Sequence, residues 1–245
     1  MTGKVKIALC LSGEPRSSMA SFPYIYESLI NLGPECEVDV YIHSWKNFRT
    51  LKLYNPKRFL IDNRNEEQYF REWLYNLNIT SPPVIKSLNI LNQLTVNSHP
   101  LKNPFLMFSS IKNCFDLIQE PYDYYIRARY DLLFKSKFYI ESILSDISEN
   151  KYDMLIPYEQ FTYKRPNEYN DQLSIGTYKS MEVYSGVFNY LEEIINKTNS
   201  INPQVLLKYW LDINKVKVNS YHVDWTLVRK TQLLTINPNF NFLDQ

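Results

Sequence analysis

Along the first third of the chain, the spacing of hydrophobic and polar residues changes from that of a strand to that of a helix and back. Residues 5–11 form a continuous apolar run that ends in the turn formers Ser12-Gly13-Glu14-Pro15, which predicts a buried strand followed by a loop. Residues 16–32 carry apolar side chains at helical spacing and are followed by Gly33-Pro34, which predicts an amphipathic helix that ends there. Because residues 37–42 again read as a buried strand, the chain opens with a βαβ unit and a parallel sheet.

The rest of the chain continues this alternation. Residues 78–104 are polar and contain four prolines, and they predict a loop with one short strand. The other predicted strands lie at 57–61, 122–126, 153–157, 216–218 and 233–236, and the other predicted helices at 66–77, 105–119, 138–146, 178–195 and 203–211. These elements predict the α/β class, with a mostly parallel central sheet flanked by helices in a single domain over residues 1–245.

Composition changes this picture in one respect. The chain has 245 residues but only 5 glycines, and they are scattered. It therefore contains neither a G-x-G-x-x-G fingerprint nor a Walker A loop, and a nucleotide would have to be bound by side chains. Abundant Asn, Tyr, Phe, Ile and Lys indicate an AT-rich genome, such as that of a large virus, a phage or a low-GC bacterium.

Charge and cysteine content limit the partners and the compartment. The formal net charge is +1, so no basic surplus favours nucleic acid as a partner. The three cysteines have no C-x-x-C spacing, which argues against a disulfide framework or a structural zinc site and favours a reducing, cytoplasmic setting. No run approaches the ~20 apolar residues of a transmembrane segment.

Polar residues after the first strand are the first candidate site. Ser12, Gly13 and Arg16 follow the carboxyl end of a parallel strand, where open α/β sheets bind ligands. Arg16 near a helix start could pair with a phosphate. The alternative is a plain turn in which Ser17 or Ser18 caps the helix.

The second candidate is the charged end of the 122–126 strand. Arg127, Arg129 and Asp131 alternate along the sequence, so an extended chain would place them on one side. Two guanidinium groups beside a carboxylate suit either a buried ion-pair network or a site for a diphosphate and its metal ion. The pattern alone favours neither.

A third candidate precedes Gly176. Asp171 could cap a following helix, or it could act as a general base or contact a sugar hydroxyl. Gln172 offers a donor and an acceptor, as recognition of a polyol requires. Among the histidines, His43 stands at the end of the second strand, a functional position in this topology. Motifs of the common hydrolases are absent.

Taken in order, these segments resemble a known family. The order is S-G-x-x-R after the first strand, H-S-W after the second, then I-R-A-R-Y-D and finally D-Q-L-S-I-G before an amphipathic helix. The chain resembles, over roughly residues 4–230, the small GT-A-type glycosyltransferases of large viruses, phages and bacterial surface-polysaccharide clusters. I-R-A-R-Y-D and D-Q-L-S-I-G are the most specific of these motifs.

The resemblance implies a role for each candidate residue. Nucleotide-binding residues would be Ser12, Gly13, Arg16, His43, Trp45, Arg127, Arg129 and Arg229. Substrate contacts would come from Gln172 and Gly176, and catalytic groups would be Asp171 and Asp131. A cofactor, Mn²⁺ or Mg²⁺, would bind Asp131 with His222 as a further ligand. The chain departs from the family at position 129, where an Arg stands in place of the first Asp of a D-x-D element, so that a guanidinium could supply part of the charge of the cation.

The resulting hypothesis is a glycosyltransferase that takes a sugar from a nucleotide-diphosphate donor, with a UDP-sugar favoured, and passes it to a glycan or another hydroxyl acceptor. Residues 1–135 would form the nucleotide-binding half and 136–245 the acceptor and sugar half. The alternative is a non-catalytic nucleotide- or glycan-binding module on the same scaffold. A nucleotidyltransferase would need a basic, Gly-rich first loop, which is missing. For a viral protein, the compartment would be the host cytoplasm.

Overall fold

The central sheet of this computed structural model is built around β1, the apolar run predicted to be buried. The structure describes residues 3–15, 18–45, 49–81, 84, 100–135, 140–149, 151–158, 167–220 and 223–228. Its strands are β1 (Val5–Gly13), β2 (Cys36–Trp45), β3 (Arg58–Asp62), β4 (Tyr124–Ala128), β5 (Leu132–Phe134), β6 (Met154–Leu155), β7 (Leu173–Gly176), β8 (Val218–Asn219) and β9 (Trp225–Leu227).

Helices connect and cover these strands. They are α1 (Ser18–Ile25), which continues as a π-helical turn (Tyr26–Ile30), α2 (Arg49–Tyr54), α3 (Glu66–Tyr75), α4 (Lys102–Phe115), α5 (Ile140–Ser148), α6 (Tyr178–Gly186), a 3₁₀ turn (Val187–Tyr190), α7 (Leu191–Thr198) and α8 (Pro203–Ile213). Thr177 and Asn202 cap α6 and α8 with their side chains, as short polar residues at helix starts usually do. Across the described ranges, no helix combines the length and the apolarity that crossing a membrane would need.

Seven strands pair in the order β3-β2-β1-β4-β7-β6-β8. β1 pairs in parallel with β2 and β4, β2 with β3, and β6 with β8, while β7 is antiparallel to both of its neighbours. The α/β class and the mostly parallel sheet flanked by helices are therefore confirmed. Since every strand of this sheet except β7 runs in one direction, the carboxyl ends of those strands and the start of β7 lie at the same edge.

Both faces of the sheet are buried. Ile7, Leu9 and Leu11 belong to a core layer that includes α1 and α5, whereas Ala8 and Cys10 belong to a second layer that includes α3, α4, α6, α7 and α8. Alternating side chains of one strand thus enter two cores. This double burial explains why β1 reads as an uninterrupted apolar run instead of an alternating one.

Several predicted boundaries were wrong in detail. The fourth strand covers Tyr124–Ala128 instead of 122–126, so that Arg127 lies inside it, and the predicted helix over 178–195 is divided by the 3₁₀ turn. Three strands, β5, β7 and β9, were not predicted; each has only three or four residues. The predicted strand at 233–236 lies outside the described residues, as does most of the 78–104 segment.

Candidate functional site

A cleft of about 460 Å³ opens at the edge where the parallel strands end. Open α/β sheets bind ligands at this edge, because the loops that leave the strands diverge there. The cleft is lined from three directions: by the ends of β1, β2 and β4, by the segment that enters β7, and by the first residues of three helices. It therefore gathers residues that are far apart in sequence.

The end of β1 supplies Ser12 and Gly13. Ser12 is 1% exposed, and its hydroxyl has no hydrogen-bond partner among the described residues although the residue lines the cleft. A buried hydroxyl without a partner is costly and is often satisfied by a ligand or water. Gly13 has φ +114°, a conformation that favours glycine at this position. Arg16, predicted to bind phosphate, lies outside the described residues.

The end of β2 supplies Trp45, which lines the cleft and is 6% exposed. His43 lies behind it, fully buried, with its ring 5.2 Å from that of Trp45 at an edge-on angle of 85°. His43 Nδ1 is 2.7 Å from the hydroxyl of Ser110. Burial lowers the pKa of His43 to about 4, and the nearby charge of Asp62 offsets this effect only in part. His43 is thus a neutral support for the indole and is not itself among the residues that line the cleft.

The end of β4 supplies Arg127, which is 2% exposed yet borders the cleft. Its Nη1 donates a hydrogen bond to the main-chain carbonyl of Asp171. Its Nε has no partner among the described residues. A buried guanidinium with an unused donor is expected to meet an acceptor on a ligand, since leaving a charged donor unsatisfied is expensive.

Arg129 and Asp131 form a two-pronged ion pair beyond the end of β4. Arg129 Nε and Nη2 each lie 2.8 Å from one oxygen of the Asp131 carboxylate. Burial acts to lower the pKa of Arg129, but its hydrogen bonds with Asp131 and the charge of that carboxylate raise the pKa above its ordinary value. Arg129 lines the cleft, whereas Asp131 is 1% exposed and does not. The pattern had left an ion pair and a diphosphate site open, and the structure contains the ion pair.

The described residues do not fit the metal site expected at Asp131. Mn²⁺ and Mg²⁺ need carboxylate oxygens that are open to the ion, whereas both oxygens of Asp131 accept from Arg129. No group of three or more His, Cys, Asp or Glu side chains in the described part of the chain could hold a metal ion. His222, the second expected ligand, lies outside those residues, as does Arg229.

The segment before β7 brings Asp171 to the cleft. Its main-chain carbonyl also accepts a 3.3 Å bond from the hydroxyl of Tyr184, which fixes the backbone from the second core layer. The Asp171 carboxylate forms no ion pair or hydrogen bond within the described residues and faces a cleft that also contains Arg129. Asp171 does not cap a helix, because it leads into a strand and Thr177 caps the helix that follows.

Two of the predicted substrate contacts lie in supporting positions. Gln172 accepts a 3.0 Å hydrogen bond from the indole N–H of Trp225, and its main-chain carbonyl accepts a 3.1 Å bond from the Arg129 amide. Gly176 lies at the far end of β7, where an added Cβ would overlap the Ser180 hydroxyl and lie 3.1 Å from the Asp153 carbonyl oxygen. This geometry favours a packing role for Gly176, and neither residue lines the cleft.

Residues at three helix starts were missed by the sequence analysis. The cleft is also lined by Glu66 at the start of α3, by Lys102, Asn103, Leu106 and Met107 in the first turns of α4, and by Pro203 at the start of α8. Helix N-termini carry partial positive charge and favour anions. The sequence predicted helices that start at residues 66 and 203, but it placed residues 102 and 103 in a loop, and no local pattern reveals that the three helix starts converge.

Solved structures that are similar to this chain include three proteins. Mouse xyloside xylosyltransferase 1 in its apo form is 12% identical, with 89% of this chain and 85% of that chain covered and a TM-score of 0.47. A glycosyltransferase involved in the glycosylation of the major capsid of PBCV-1 is 9% identical, with 89% and 82% covered and a TM-score of 0.44.

The third is a Bacillus anthracis protein, in complex with a sucrose, described as a glucose-1-phosphate thymidylyltransferase. It is 8% identical, with 98% and 97% covered and a TM-score of 0.41. No family model and no curated protein sequence matches the chain. With identities of 8–12% and TM-scores of 0.41–0.47, these likenesses carry no conclusion about the activity of this chain.

Proposed function

We propose that this chain is a glycosyltransferase that moves a sugar from a nucleotide-diphosphate donor to a hydroxyl of a glycan acceptor. One observation carries the proposal: the cleft brings the carboxylate of Asp171, which has no ion pair or hydrogen bond within the described residues, together with the guanidinium groups of Arg127 and Arg129. A reaction that deprotonates a hydroxyl and releases a diphosphate needs a base and fixed positive charge in one cavity.

Three side chains at one end of the cleft, here called the donor end, are suited to bind the nucleotide-sugar donor. Arg127 Nε and the Ser12 hydroxyl are buried donors without partners in the described part of the chain, and phosphate oxygens are the acceptors that such donors favour. Trp45 also lines the cleft, and an aromatic side chain there could contact a base or sugar ring. The preference for a UDP-sugar comes from the family resemblance, and these contacts are compatible with it.

Asp171 is the proposed base of an inverting reaction. The acceptor hydroxyl would give its proton to the Asp171 carboxylate, its oxygen would bond to the anomeric carbon, and the bond from that carbon to the diphosphate oxygen would break. The nucleoside diphosphate would leave with the bonding electrons, stabilised by the nearby guanidinium groups. A retaining reaction needs no such base, and Asp171 would then only position the sugar.

The first experiment identifies the donor. UDP-, GDP- and dTDP-sugars are added to the purified chain, with a CMP-sugar, which carries a single phosphate, for comparison. The melting temperature is measured, since a ligand that binds the native state raises it by mass action. Donor hydrolysis and transfer are then assayed with the sugar nucleotide that gives the largest shift. If none of them binds, the proposal fails at its first step.

Asp171→Asn is the decisive variant. It keeps the shape of the side chain but removes the base, so we expect kcat to fall by about 10²–10⁴-fold while donor affinity changes little. Asp212→Asn is the matched control, because Asp212 pairs with Lys208 on α8 and does not line the cleft, and it should retain activity. Nucleotide binding with no turnover of any donor would instead support the non-catalytic binding module.

A further inference from the structure

Arg129 stands where the family resemblance leads one to expect a metal-binding carboxylate, and its partner Asp131 is already occupied. We infer that the glycosyltransferase proposed above holds the donor diphosphate with the guanidinium groups of Arg129 and Arg127 and needs no divalent cation on Asp131. Asp131 is then a positioning residue that fixes Arg129. This inference rests on the proposed function but concerns a different property of the site.

Asp131 contacts only one edge of the Arg129 guanidinium group, the edge formed by Nε and Nη2. Arg129 Nε and Nη2 are directed to the two oxygens of Asp131 at 2.8 Å each. A guanidinium has five N–H donors in one plane, so within the described residues Nη1 and the second hydrogen of Nη2 are left for another acceptor. Because Arg129 is 25% exposed and lines the cleft while Asp131 is 1% exposed and does not, the remaining donors belong to the part of the pair that a ligand can reach.

A cation at Asp131 would have to displace this arrangement. It would take carboxylate oxygens that now accept charge-assisted hydrogen bonds, and it would leave the Arg129 guanidinium beside the metal as a like charge. The same repulsion would hold for a metal that entered the cleft next to Arg129. The pair therefore holds the guanidinium cation of Arg129 in a fixed position. Its planar group can make bidentate contacts with a carboxylate and also with a phosphate.

Arg127 completes the proposed diphosphate subsite. It is 2% exposed, with Nη1 committed to the Asp171 carbonyl and Nε without a partner in the described part of the chain. Together the two guanidinium groups carry two formal positive charges, which the carboxylates of Asp131, Asp171 and Glu14 offset in part. They can stabilise the negative charge that develops on a leaving diphosphate. A metal ion stabilises this charge in other enzymes.

The test measures nucleotide binding, so it does not depend on turnover. Binding of UDP, GDP, dTDP and CDP is followed by calorimetry in EDTA and again in Mn²⁺ or Mg²⁺. We expect the nucleotide that binds best to have the same dissociation constant in both media within about twofold. We expect Arg129→Gln to weaken binding of this nucleoside diphosphate in EDTA by about tenfold or more. The same substitution should weaken binding of the corresponding nucleoside monophosphate less.

Asp131→Asn distinguishes positioning from metal binding. If Asp131 only fixes Arg129, the variant should weaken diphosphate binding by about the same factor in EDTA and in Mn²⁺. Arg129→Lys keeps the charge but loses the planar fork, and it replaces Arg129→Gln if that variant does not fold. Arg71→Gln, from the exposed pair of Arg71 with Glu67, is the control for loss of an ion pair and should bind as the wild type does.

Three results overturn the inference. The first is a wild type that binds at least about tenfold more tightly in Mn²⁺, with the gain lost in Asp131→Asn. The second is an Arg129→Gln or Arg129→Lys variant that folds and binds like the wild type. The third is a wild type that binds no nucleoside diphosphate in either medium, and this result alone would also remove the proposed function.

Discussion

At the scale of single residues, His43 is the buried group with the clearest dependence on pH. Burial lowers the pKa of His43 to about 4 from its ordinary value of 6.5. Below pH 6.5 the unfolded chain therefore binds a proton at this residue that the folded chain excludes. The contribution of His43 to the free energy of unfolding is fully present above pH 6.5 and is lost as the pH drops from 6.5 towards 4.

This difference gives a quantitative prediction. From the two pKa values, His43 should make the chain about 2 kcal/mol less stable at pH 5 than at pH 8, as measured by urea unfolding at each pH. His43→Gln should lower stability at pH 8, because it disturbs the packing behind Trp45, but it should lose most of the difference between the two pH values. A variant that keeps the full difference would show that other groups cause it.

Residue positions could be predicted from the sequence only as far as the ends of strands. Ser12 and Arg127 were predicted as site residues because each follows or ends a buried apolar run, which is a local signal, whereas Trp45 was predicted only from the family resemblance. Whether a side chain reaches the cleft or supports it from behind depends on the register between strands. His43 pairs with Ser12, yet its ring turns into the contact with Ser110, and no spacing along β2 reveals that partner.

At the scale of elements, β7 contributes most to the site and was the strand least visible in the sequence. Its four residues directly precede a helix, so the sequence favoured a loop that leads into that helix. The antiparallel pairing with β4 places Leu173 beside Ala128, and Asp171 therefore enters at the edge where the parallel strands end. A strand this short gains its stability from neighbours on both sides, and propensity within it carries little information.

The ends of β1 and β2 are tied together by one side chain. The buried hydroxyl of Tyr130 lies 3.0 Å from the carbonyl oxygens of Leu11 and His43. Leu11 directly precedes Ser12, and His43 lies two residues before Trp45. The two carbonyl groups therefore belong to the strand ends that carry Ser12 and Trp45 to the cleft. The contact therefore links the separation of two strand ends to the shape of the donor end of the cleft.

Tyr130→Phe tests this link. Loss of the hydroxyl should lower the free energy of unfolding by about 1–2 kcal/mol, and it should also weaken nucleotide binding several-fold, because the two strand ends are less firmly held. Tyr124→Phe is the matched control: its hydroxyl donates at 3.1 Å to the carbonyl of Leu144, which is in α5 and does not line the cleft. The control should lose comparable stability with unchanged nucleotide affinity, measured by urea unfolding and calorimetry. Equal losses of affinity in both variants would contradict a specific role for Tyr130.

At the scale of the whole molecule, one sheet joins the two predicted halves of the chain. β4 belongs to residues 1–135, whereas β7 and β6, which extend the sheet beyond it, belong to residues 136–245. The class of fold could be predicted because each strand and helix of the alternating series has its own local pattern of hydrophobic residues. The strand order could not, since β7 enters between β4 and β6 through pairings that are remote in sequence.

The cores cross the same boundary. Phe105 and Phe108 of α4 share the second core layer with Met181 of α6 and Leu207 of α8, so apolar side chains of the first half are covered by helices of the second. Exposing such a surface costs about 25 cal/mol for each Å². Separation of the halves would also leave the edge of β4 without its partner β7, and unpaired strand edges are prone to aggregate.

We therefore expect the chain to unfold as one cooperative unit although its halves would have different roles. Scanning calorimetry should give one transition with a ratio of calorimetric to van't Hoff enthalpy of about 1, and a bound nucleotide should move that whole transition upwards. A fragment of residues 1–135 should lack the circular dichroism and the sharp melting of a folded domain. Two transitions of which only the first responds to nucleotide, or a fragment that folds and binds nucleotide alone, would show instead that the halves are independent domains with a binding site built from the first.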